Sequence, residues 1–308
     1  MADKKIIIGI DGGGTKTALA AYREGTPVAS AKTGPMNYNF IGADRAAENV
    51  LAGVRALGIP VGTIGAIGIG DPSIDDTVGT DPDSVSAKFV SLLKKALGVQ
   101  VFVRSDAYMT LFGLTEGRKP GVLILSGTGA MGIAQNPEGH LFLAGGWGRI
   151  SGDEGSGYYI AVEAIKAALR AIDGIAPATA LTDALTGYFG VGTPRELITR
   201  FYPENGEPDI AGFAEAAASC AEKGDACAKK ILTDAAGFLA SYASVLMERT
   251  GSRTVGIYGS VLTRNRTVRA EFERLILEKY PDAGIMTPAV SPERAAAIYA
   301  GLQVLRER

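Results

Sequence analysis

The residues best suited to chemistry lie in two short turns that are rich in glycine and hydroxyl groups. One runs from Asp11 to Thr17 and the other from Ser126 to Gly132, each after an apolar run typical of a buried strand. Glycine lets the backbone turn successive N–H groups toward an anion, and Ser or Thr hydroxyls add donors. The pair predicts a nucleotide whose phosphates are held by Gly12, Gly13, Gly14, Thr15, Lys16, Ser126, Gly127, Thr128 and Gly129.

The first turn also carries a carboxylate, Asp11, at the end of its apolar run. Asp11 could hold Mg²⁺ beside the phosphates or cap the turn with its side chain, and the three glycines that follow favour the metal. Lys16 either touches a phosphate or points to solvent. The turn lacks the Walker spacing and enters a strand instead of a helix, so hairpin amides are expected to meet the phosphates.

A second carboxylate, Asp106, falls where the predicted strand Val99–Ser105 gives way to a helix. Sites in α/β proteins gather at such carboxyl ends of strands. Asp106 could be a base that takes the proton of a hydroxyl attacking a γ-phosphate, or it could cap the helix. Its position in the sequence leaves the two roles open.

The loop at 145–157 holds the only tryptophan of the chain, Trp147, among six glycines and next to Asp153 and Glu154. An aromatic face and a carboxylate could together bind a sugar ring and its hydroxyls. Alternatively, Trp147 plugs the core and one of the acids caps the following helix. The strand that ends at Gly259 and Ser260 could lie against a nucleoside, although such a turn is common.

The strands and helices that must position these residues are predicted to follow the order βββαβα, which occurs twice along the chain. Strands are predicted near 5–11, 16–23, 27–33, 64–70 and 99–105, and again at 121–126, 130–135, 140–144, 254–258 and 283–286. Helices are predicted at 44–57, 82–97, from 106, through much of 155–250, at 266–279 and from 291. This alternation predicts an α/β protein with mixed sheets.

Composition excludes several classes of protein. With 31 basic and 33 acidic side chains, the net charge of −2 argues against a nucleic-acid partner. No apolar run is long enough to span a bilayer and no signal peptide opens the chain, so we expect a cytoplasmic protein without a membrane partner. The only cysteines, Cys220 and Cys227, are seven residues apart on one predicted helix, too far to form a disulfide.

Taken together, these segments resemble the N-acetylglucosamine kinase family, within the sugar kinase, Hsp70 and actin superfamily of ATPases. The looser grouping includes the ATPase subunits of benzoyl-CoA reductase and the activators of 2-hydroxyacyl-CoA dehydratases. The resemblance spans nearly the whole chain: GIDGGGTKT at 9–17, GPMN at 34–37, SDA at 105–107, LSGTGAMG at 125–132, GGWGRISGDEGSG at 145–157, AEKGD at 221–225 and GSV at 259–261.

The resemblance implies two ribonuclease-H-like (actin-like ATPase) domains with a nucleotide cleft between them. Residues 1–117, completed by a C-terminal helix at 289–308, would form one domain, and residues 118–288, with helical insertions, the other. A homodimer through the second half is also implied. The implied reaction is ATP- and Mg²⁺-dependent phosphorylation of an amino sugar, N-acetylglucosamine to its 6-phosphate first among the alternatives.

Roles for individual residues follow from the same resemblance. Asp106 would be the general base for the sugar 6-hydroxyl, Asp11 would lie near Mg²⁺, and Thr15 and Thr128 would contact phosphates. The implied sugar pocket consists of Asn37, Asp106, Gly146, Trp147 and Asp153, and the implied nucleoside contacts are Gly259 and Ser260.

Departures from the family pattern leave the substrate open. Segment 67–76 reads IGIGDPSIDD, unlike the apolar glycine-rich stretch expected beside the sugar, so glucosamine, N-acetylmuramic acid and glucose remain alternatives.

Cys220 stands where relatives place a small residue near the nucleotide, which makes it a candidate for thiol-sensitive activity. An ATPase switch acting on a protein partner would need the same ATP motifs but not the sugar loop. The zinc-binding cysteine cluster of the bacterial repressor and sugar-kinase family is absent, which excludes that branch, and the cluster-ligating cysteine pattern of dehydratase activators is absent too.

Overall fold

The computed structural model describes residues 5–13, 16–77, 81–201 and 208–307. The chain divides into an N-terminal unit, Met1–Lys119 with Pro288–Arg308, and a C-terminal unit, Pro120–Thr287. Each unit contains one five-stranded sheet, which confirms the predicted α/β class with two sheet-based domains. Of the helices in the described ranges, none is both long and apolar enough to cross a membrane.

The N-terminal unit begins with a three-stranded meander and continues with alternating helices and strands. Its elements are β1 (Ile6–Asp11), β2 (Thr17–Arg23), β3 (Thr26–Thr33), α1 (Tyr38–Ile41), α2 (Ala43–Ala56), β4 (Ile64–Gly70), α3 (Val85–Leu97), β5 (Gln100–Arg104) and α4 (Asp106–Thr115).

The C-terminal unit repeats this plan and inserts helices after its third strand. Its elements are β6 (Gly121–Ser126), β7 (Ala130–Gln135), β8 (Leu141–Gly145), α5 (Gly157–Ile172), α6 (Leu181–Phe189), α7 (Glu196–Arg200), α8 (Phe213–Glu222), α9 (Ala226–Thr250), β9 (Thr254–Tyr258), α10 (Ser260–Arg264), α11 (Arg266–Lys279) and β10 (Gly284–Met286); α12 (Pro292–Arg306) then returns to the N-terminal unit.

The two sheets have the same strand order when they are written in the same direction. The first is β3-β2-β1-β4-β5, and the second is β8-β7-β6-β9-β10. In each, the first two strands form an antiparallel hairpin, and the first strand pairs in parallel with the next strand beyond the meander. The two predicted glycine-rich turns are the connections of these hairpins. Because the central strands are covered on both faces, they read as nearly continuous apolar runs.

Helix α12 contacts the sheet of the N-terminal unit unusually closely, and two strand glycines make this possible. A Cβ on Gly9 of β1 would lie 1.7 Å from the carbonyl oxygen of Glu293, and a Cβ on Gly68 of β4 would lie 1.9 Å from that of Ala296. Both distances are far below van der Waals contact, so any side chain here would push the helix off the sheet. Glycine inside a strand often marks such a close backbone approach.

Most predicted elements appear within one to three residues of their expected bounds, and five of them, 64–70, 121–126, 130–135, 254–258 and 266–279, match fully. The sequence interpretation missed the short helices α1 and α10. Both are under two turns long, too short for helical periodicity to show.

Gly68→Ala should lower the free energy of unfolding by about 3 kcal/mol, since the new methyl group overlaps backbone that cannot rotate away. Urea unfolding followed by circular dichroism would measure the change. Gly62→Ala is the matched control, because a Cβ there meets open space, and it should stay within about 0.5 kcal/mol of the parent. Equal stabilities of the two variants would contradict close packing of α12.

Candidate active site

Three parallel strands of the N-terminal unit end side by side and bring three aspartates to one edge of the sheet. Asp11 of β1 is in register with Gly70 of β4, and Gly70 is in register with Arg104 of β5. Asp71 follows β4 directly, and its backbone N–H donates to the carbonyl of Arg104 at 2.9 Å. Asp106 opens α4 just beyond β5.

Asp106 does not cap its helix. The N-cap is Ser105, whose hydroxyl accepts the N–H of Tyr108 at 2.9 Å. Asp106 occupies the first helical position, where its Oδ1 accepts the N–H of Ala107 at 2.7 Å. The alternative in which Asp106 is the N-cap of α4 is therefore wrong.

Crowding of acids at this edge changes their proton affinity. Removal from water, together with the charges of Asp106 and Glu293, raises the pKa of Asp11 to about 7, while nearby Lys16 opposes the rise. Burial likewise raises the pKa of Asp106. Glu293 stands in the first turn of α12. A cation at this edge would relieve the repulsion among these groups.

The glycine turn after β1 lies against the same edge. The N–H of Gly12 donates to the carbonyl of Gly70 at 2.8 Å, and the N–H of Met36 donates to the carbonyl of Gly13 at 3.1 Å. A Cβ on Gly12 would lie 2.9 Å from the carbonyl oxygen of Gly70 and 2.0 Å from the Met36 methyl group, so a side chain here would displace the strand end or Met36. Next to Met36 is Asn37, the N-cap of α1.

Three further residues of that turn, Gly14, Thr15 and Lys16, are predicted to bind phosphates. Lys16 is exposed, and its charge acts on the Asp11 carboxylate. Gly14 and Thr15, two of the predicted phosphate-binding residues, lie outside the described residues.

The acidic edge is suited to Mg²⁺ bound together with a nucleotide. Among the described residues, no three His, Cys, Asp or Glu side chains are placed to hold a metal ion by themselves. Mg²⁺ commonly takes one or two carboxylates and completes its shell with water and substrate phosphates. Asp11, with its raised pKa and its place beside the turn, therefore fits the group.

In the C-terminal unit, the second glycine turn borders a cavity of about 410 Å³. Gly127 and Thr128, predicted to contact phosphates, form one wall, and Ser260 of α10, predicted to contact the nucleoside, forms another. Gly259 has a φ of 93°, and a Cβ there would lie 2.3 Å from the carbonyl oxygen of Ser126. Glycine is therefore required where β9 meets the turn.

One face of α8 closes this cavity, which the sequence interpretation did not foresee. The lining residues contributed by α8, the segment before it, α10 and the residue after α10 are Asp209, Ala211, Gly212, Ala214, Glu215, Ala218, Ser219, Glu222, Val261, Arg264 and Asn265. Helix α8 is so rich in alanine that its pattern does not say which face is open.

The glycine-dense loop after β8 adopts a backbone that few sequences could follow. Gly145, Gly146, Gly148 and Gly155 have φ between 70° and 87°, and Asp153 has a φ of 60°. A non-glycine residue in this conformation is strained and is often found at functional sites.

Asp153 in this loop lies against the second turn. Its carboxylate accepts the N–H groups of Ala130 and Gly148, and a Cβ on Gly129 would lie 3.0 Å from its Oδ2. The loop and the second turn therefore form one structure, joined also by the N–H of Gly146 donating to Ala130 at 3.0 Å.

Trp147 is 77% exposed and does not plug the core. Neither acid caps α5, because Ser156 does so by accepting the N–H of Tyr159 at 3.0 Å. Both structural alternatives for this loop are thus wrong, and Gly146, Trp147 and Asp153 remain together as a candidate binding loop.

Cys220 faces away from the cavity although its neighbours Ser219 and Glu222 line it. Its side chain is 7% exposed and packs in the core of the C-terminal unit, where burial raises the pKa of the thiol. Both cysteines are free, but they lie on two helices, α8 and α9, and not on one as predicted. The core position gives the predicted thiol sensitivity no support.

A family model described as the BadF/BadG/BcrA/BcrD ATPase family matches residues 8–301 of this chain. The chain belongs to this ATPase family. The predicted grouping is thereby confirmed.

Relatives of this ATPase match more than nine-tenths of its length. An N-acetyl-D-glucosamine kinase of Dictyostelium discoideum is 29% identical, across 96% of this chain and 98% of its own. An N-acetylmuramic acid/N-acetylglucosamine kinase of Clostridium acetobutylicum is 30% identical, across 92% and 94%. The crystal structure of a candidate N-acetylglucosamine kinase of Chromobacterium violaceum has a TM-score of 0.74 at 25% identity and covers 96% and 99%.

Asp11→Asn should stabilise the metal-free ATPase at high pH. The native pKa of Asp11, about 7, lies above its ordinary 3.8, so its contribution to stability is present at low pH and disappears as pH rises through 7. The amide escapes this loss, and its advantage should grow by about 2–3 kcal/mol from pH 5 to pH 8 in urea unfolding.

Asp83→Asn, at an exposed position of the same unit, is the control and should show no such trend. A constant difference between Asp11→Asn and the parent across this pH range would mean that Asp11 ionises as an ordinary carboxyl group.

Proposed function

We propose that this protein is an ATP-dependent kinase for an amino sugar, with N-acetylglucosamine as the leading substrate and the 6-phosphate as product. The observation that carries the proposal is the Asp106 carboxylate. It is not the N-cap of its helix, it is partly removed from water, and it lies at the same edge of the sheet as Asp11. Full-length similarity to kinases named for N-acetylglucosamine and N-acetylmuramic acid supports the same reaction class.

Asp106 takes the proton of the attacking sugar hydroxyl in this proposal. As the proton passes to the carboxylate, the sugar oxygen bonds to the γ-phosphorus and the bond to the β-phosphate oxygen breaks, releasing ADP. A raised pKa makes the Asp106 carboxylate a better proton acceptor than an ordinary one, provided that it is ionised. Activity should therefore fall on acidification.

Asn37, together with Gly146, Trp147 and Asp153, would bind the sugar. Asn37, Asp106 and Asp153 would offer hydrogen bonds to hydroxyl groups, and the exposed indole of Trp147 would offer a flat apolar face.

The cavity beside Thr128 and Ser260 would hold ATP in the C-terminal unit. Backbone N–H groups of the second turn would meet the phosphates, and the nucleoside would lie along the open face of α8. Asp11 of the N-terminal unit would hold Mg²⁺, which neutralises charge on the phosphates when it is bound.

Asp106→Asn should lower kcat by about 10²–10⁴ while ADP binding stays unchanged, because the amide fills the same volume but cannot accept the proton. Coupled ADP release with Mg-ATP and N-acetylglucosamine would measure kcat, and calorimetry would measure ADP binding. Asp83→Asn is the control. Unchanged turnover in Asp106→Asn would remove Asp106 from the role of base.

Ala218→Phe should raise the ADP dissociation constant at least tenfold, because the ring would occupy much of the 410 Å³ cavity. The cavity is open, so the melting temperature should change little. Ala178→Phe, at an exposed loop position of the same unit, is the matched control. Equal ADP affinity in both variants would place the nucleotide elsewhere.

A panel of N-acetylglucosamine, glucosamine, N-acetylmuramic acid, glucose and a sugar-free blank would choose the substrate. Turnover that depends on one amino sugar is the expected result. Equal ADP release in every sample, blank included, would contradict the kinase and favour an ATPase that acts on a protein partner.

A further inference from the structure

The carboxamide of Asn37 is held in one orientation by two donors. The backbone N–H of Asn39 and the hydroxyl of Ser73 both donate to Asn37 Oδ1, each at 3.1 Å. A backbone N–H can only donate, so the atom facing it must be the oxygen of the amide. With both lone pairs of Oδ1 engaged, the group that Asn37 offers to a ligand is its –NH₂.

Ser73 is itself fixed by a buried acid that the sequence interpretation overlooked. Its backbone N–H donates to Asp71 Oδ1 at 2.8 Å, and its hydroxyl also lies next to the Asp71 carboxyl. Asp71 is fully buried and is anchored to β5 through its own N–H, which donates to the carbonyl of Arg104. A continuous chain of hydrogen bonds therefore runs from β5 through Asp71 and Ser73 to Asn37.

This network contains buried polar groups. Asp71 Oδ2 and the Tyr38 hydroxyl are both buried without a well-formed hydrogen bond, and they lie next to each other. Removing such groups from water costs free energy unless they find polar partners. The contacts of Asp71 with Ser73 and Tyr38 offset part of this cost.

We propose that Asp71 and Ser73 are positioning residues for substrate recognition: Ser73, held by Asp71, donates a hydrogen bond to Asn37 and thereby fixes its –NH₂ toward a hydroxyl oxygen of the sugar. The inference rests on the proposed sugar site and adds how that site reads its ligand. Asn37 then donates a hydrogen bond to one sugar hydroxyl, and Asp106 accepts a hydrogen bond from another. The site therefore recognises sugar hydroxyls both as acceptors and as donors.

The central experiment is a double-mutant cycle between Ser73 and Asn37. Ser73→Ala should raise the sugar KM about 5–10-fold, the factor expected for one neutral hydrogen bond, and leave kcat and the ATP KM within about twofold. In an Asn37→Ala background, the same substitution should add no more than about twofold, because Ser73 acts only through Asn37.

Two conservative variants separate orientation from general damage. Ser73→Thr keeps the hydroxyl and should restore the sugar KM to within about twofold of the parent. Asn37→Asp keeps an oxygen facing Asn39 and Ser73 but loses the –NH₂, so it should raise the sugar KM at least tenfold with an unchanged melting temperature. Ser30→Ala, an exposed serine of β3, is the control for serine deletion.

A full additional loss from Ser73→Ala in the Asn37→Ala background would mean that Ser73 contacts the sugar itself, and the inference would be wrong. A sugar KM in Ser73→Ala equal to that of Ser30→Ala would also overturn it. Failure of the proposed function gives a different result, since the parent protein would then show no sugar-dependent turnover at all.

Discussion

The structure of the N-terminal unit depends on one electrostatic constraint: three neighbouring strand ends carry Asp11, Asp71 and Asp106 to a single edge. Like charges removed from water raise one another's pKa, and the acid nearest the glycine turn is affected strongly. The neighbours that crowd this edge increase the effect, since α12 packs on β1 closely enough to bring the Glu293 charge to Asp11. Such an edge favours the binding of protons or cations. Mg²⁺ bound together with a nucleotide would reduce the repulsion among these carboxyl groups.

The second sheet repeats the topology of the first but not its charge. In the C-terminal unit, β6 occupies the place that β1 has in the N-terminal unit, and it ends in Ser126 instead of an aspartate. Ser126 is buried and donates its hydroxyl to the carbonyl of Gly155 at 2.8 Å. A neutral strand end leaves the adjacent amides available to an anion without repulsion. In the proposed function, the same hairpin would lie beside a metal ion in one unit and beside phosphates in the other.

The fold could be predicted from the sequence where apolar periodicity and turn residues agree, as in the two hairpins and in helix 266–279. The candidate site could be predicted only in outline. Ser105 and Asp106 are both good capping residues, and only the backbone angles decide that Ser105 is the cap. Trp147 would be expected in the core from its side chain alone, but the positive φ of the glycines around it carries it to the surface.

Other parts of the site had little signal in the sequence. Segment 67–76 departs from the family pattern, but nothing in it singles out Asp71 or Ser73. The role proposed for these two residues depends on hydrogen bonds to residues more than thirty positions away. The open face of α8 depends on which side of an alanine-rich helix the rest of the unit covers. Tertiary contacts decide such features, and local pattern carries no information about them.

The exposure of Trp147 has a practical consequence. It is the only tryptophan of the chain, and it stands in the strained loop at the candidate binding site. The intrinsic fluorescence of the protein excited at the red edge of indole absorption therefore comes from this one position. Its emission wavelength and its quenching by small solutes report directly on whether this loop faces water or a ligand, without any label.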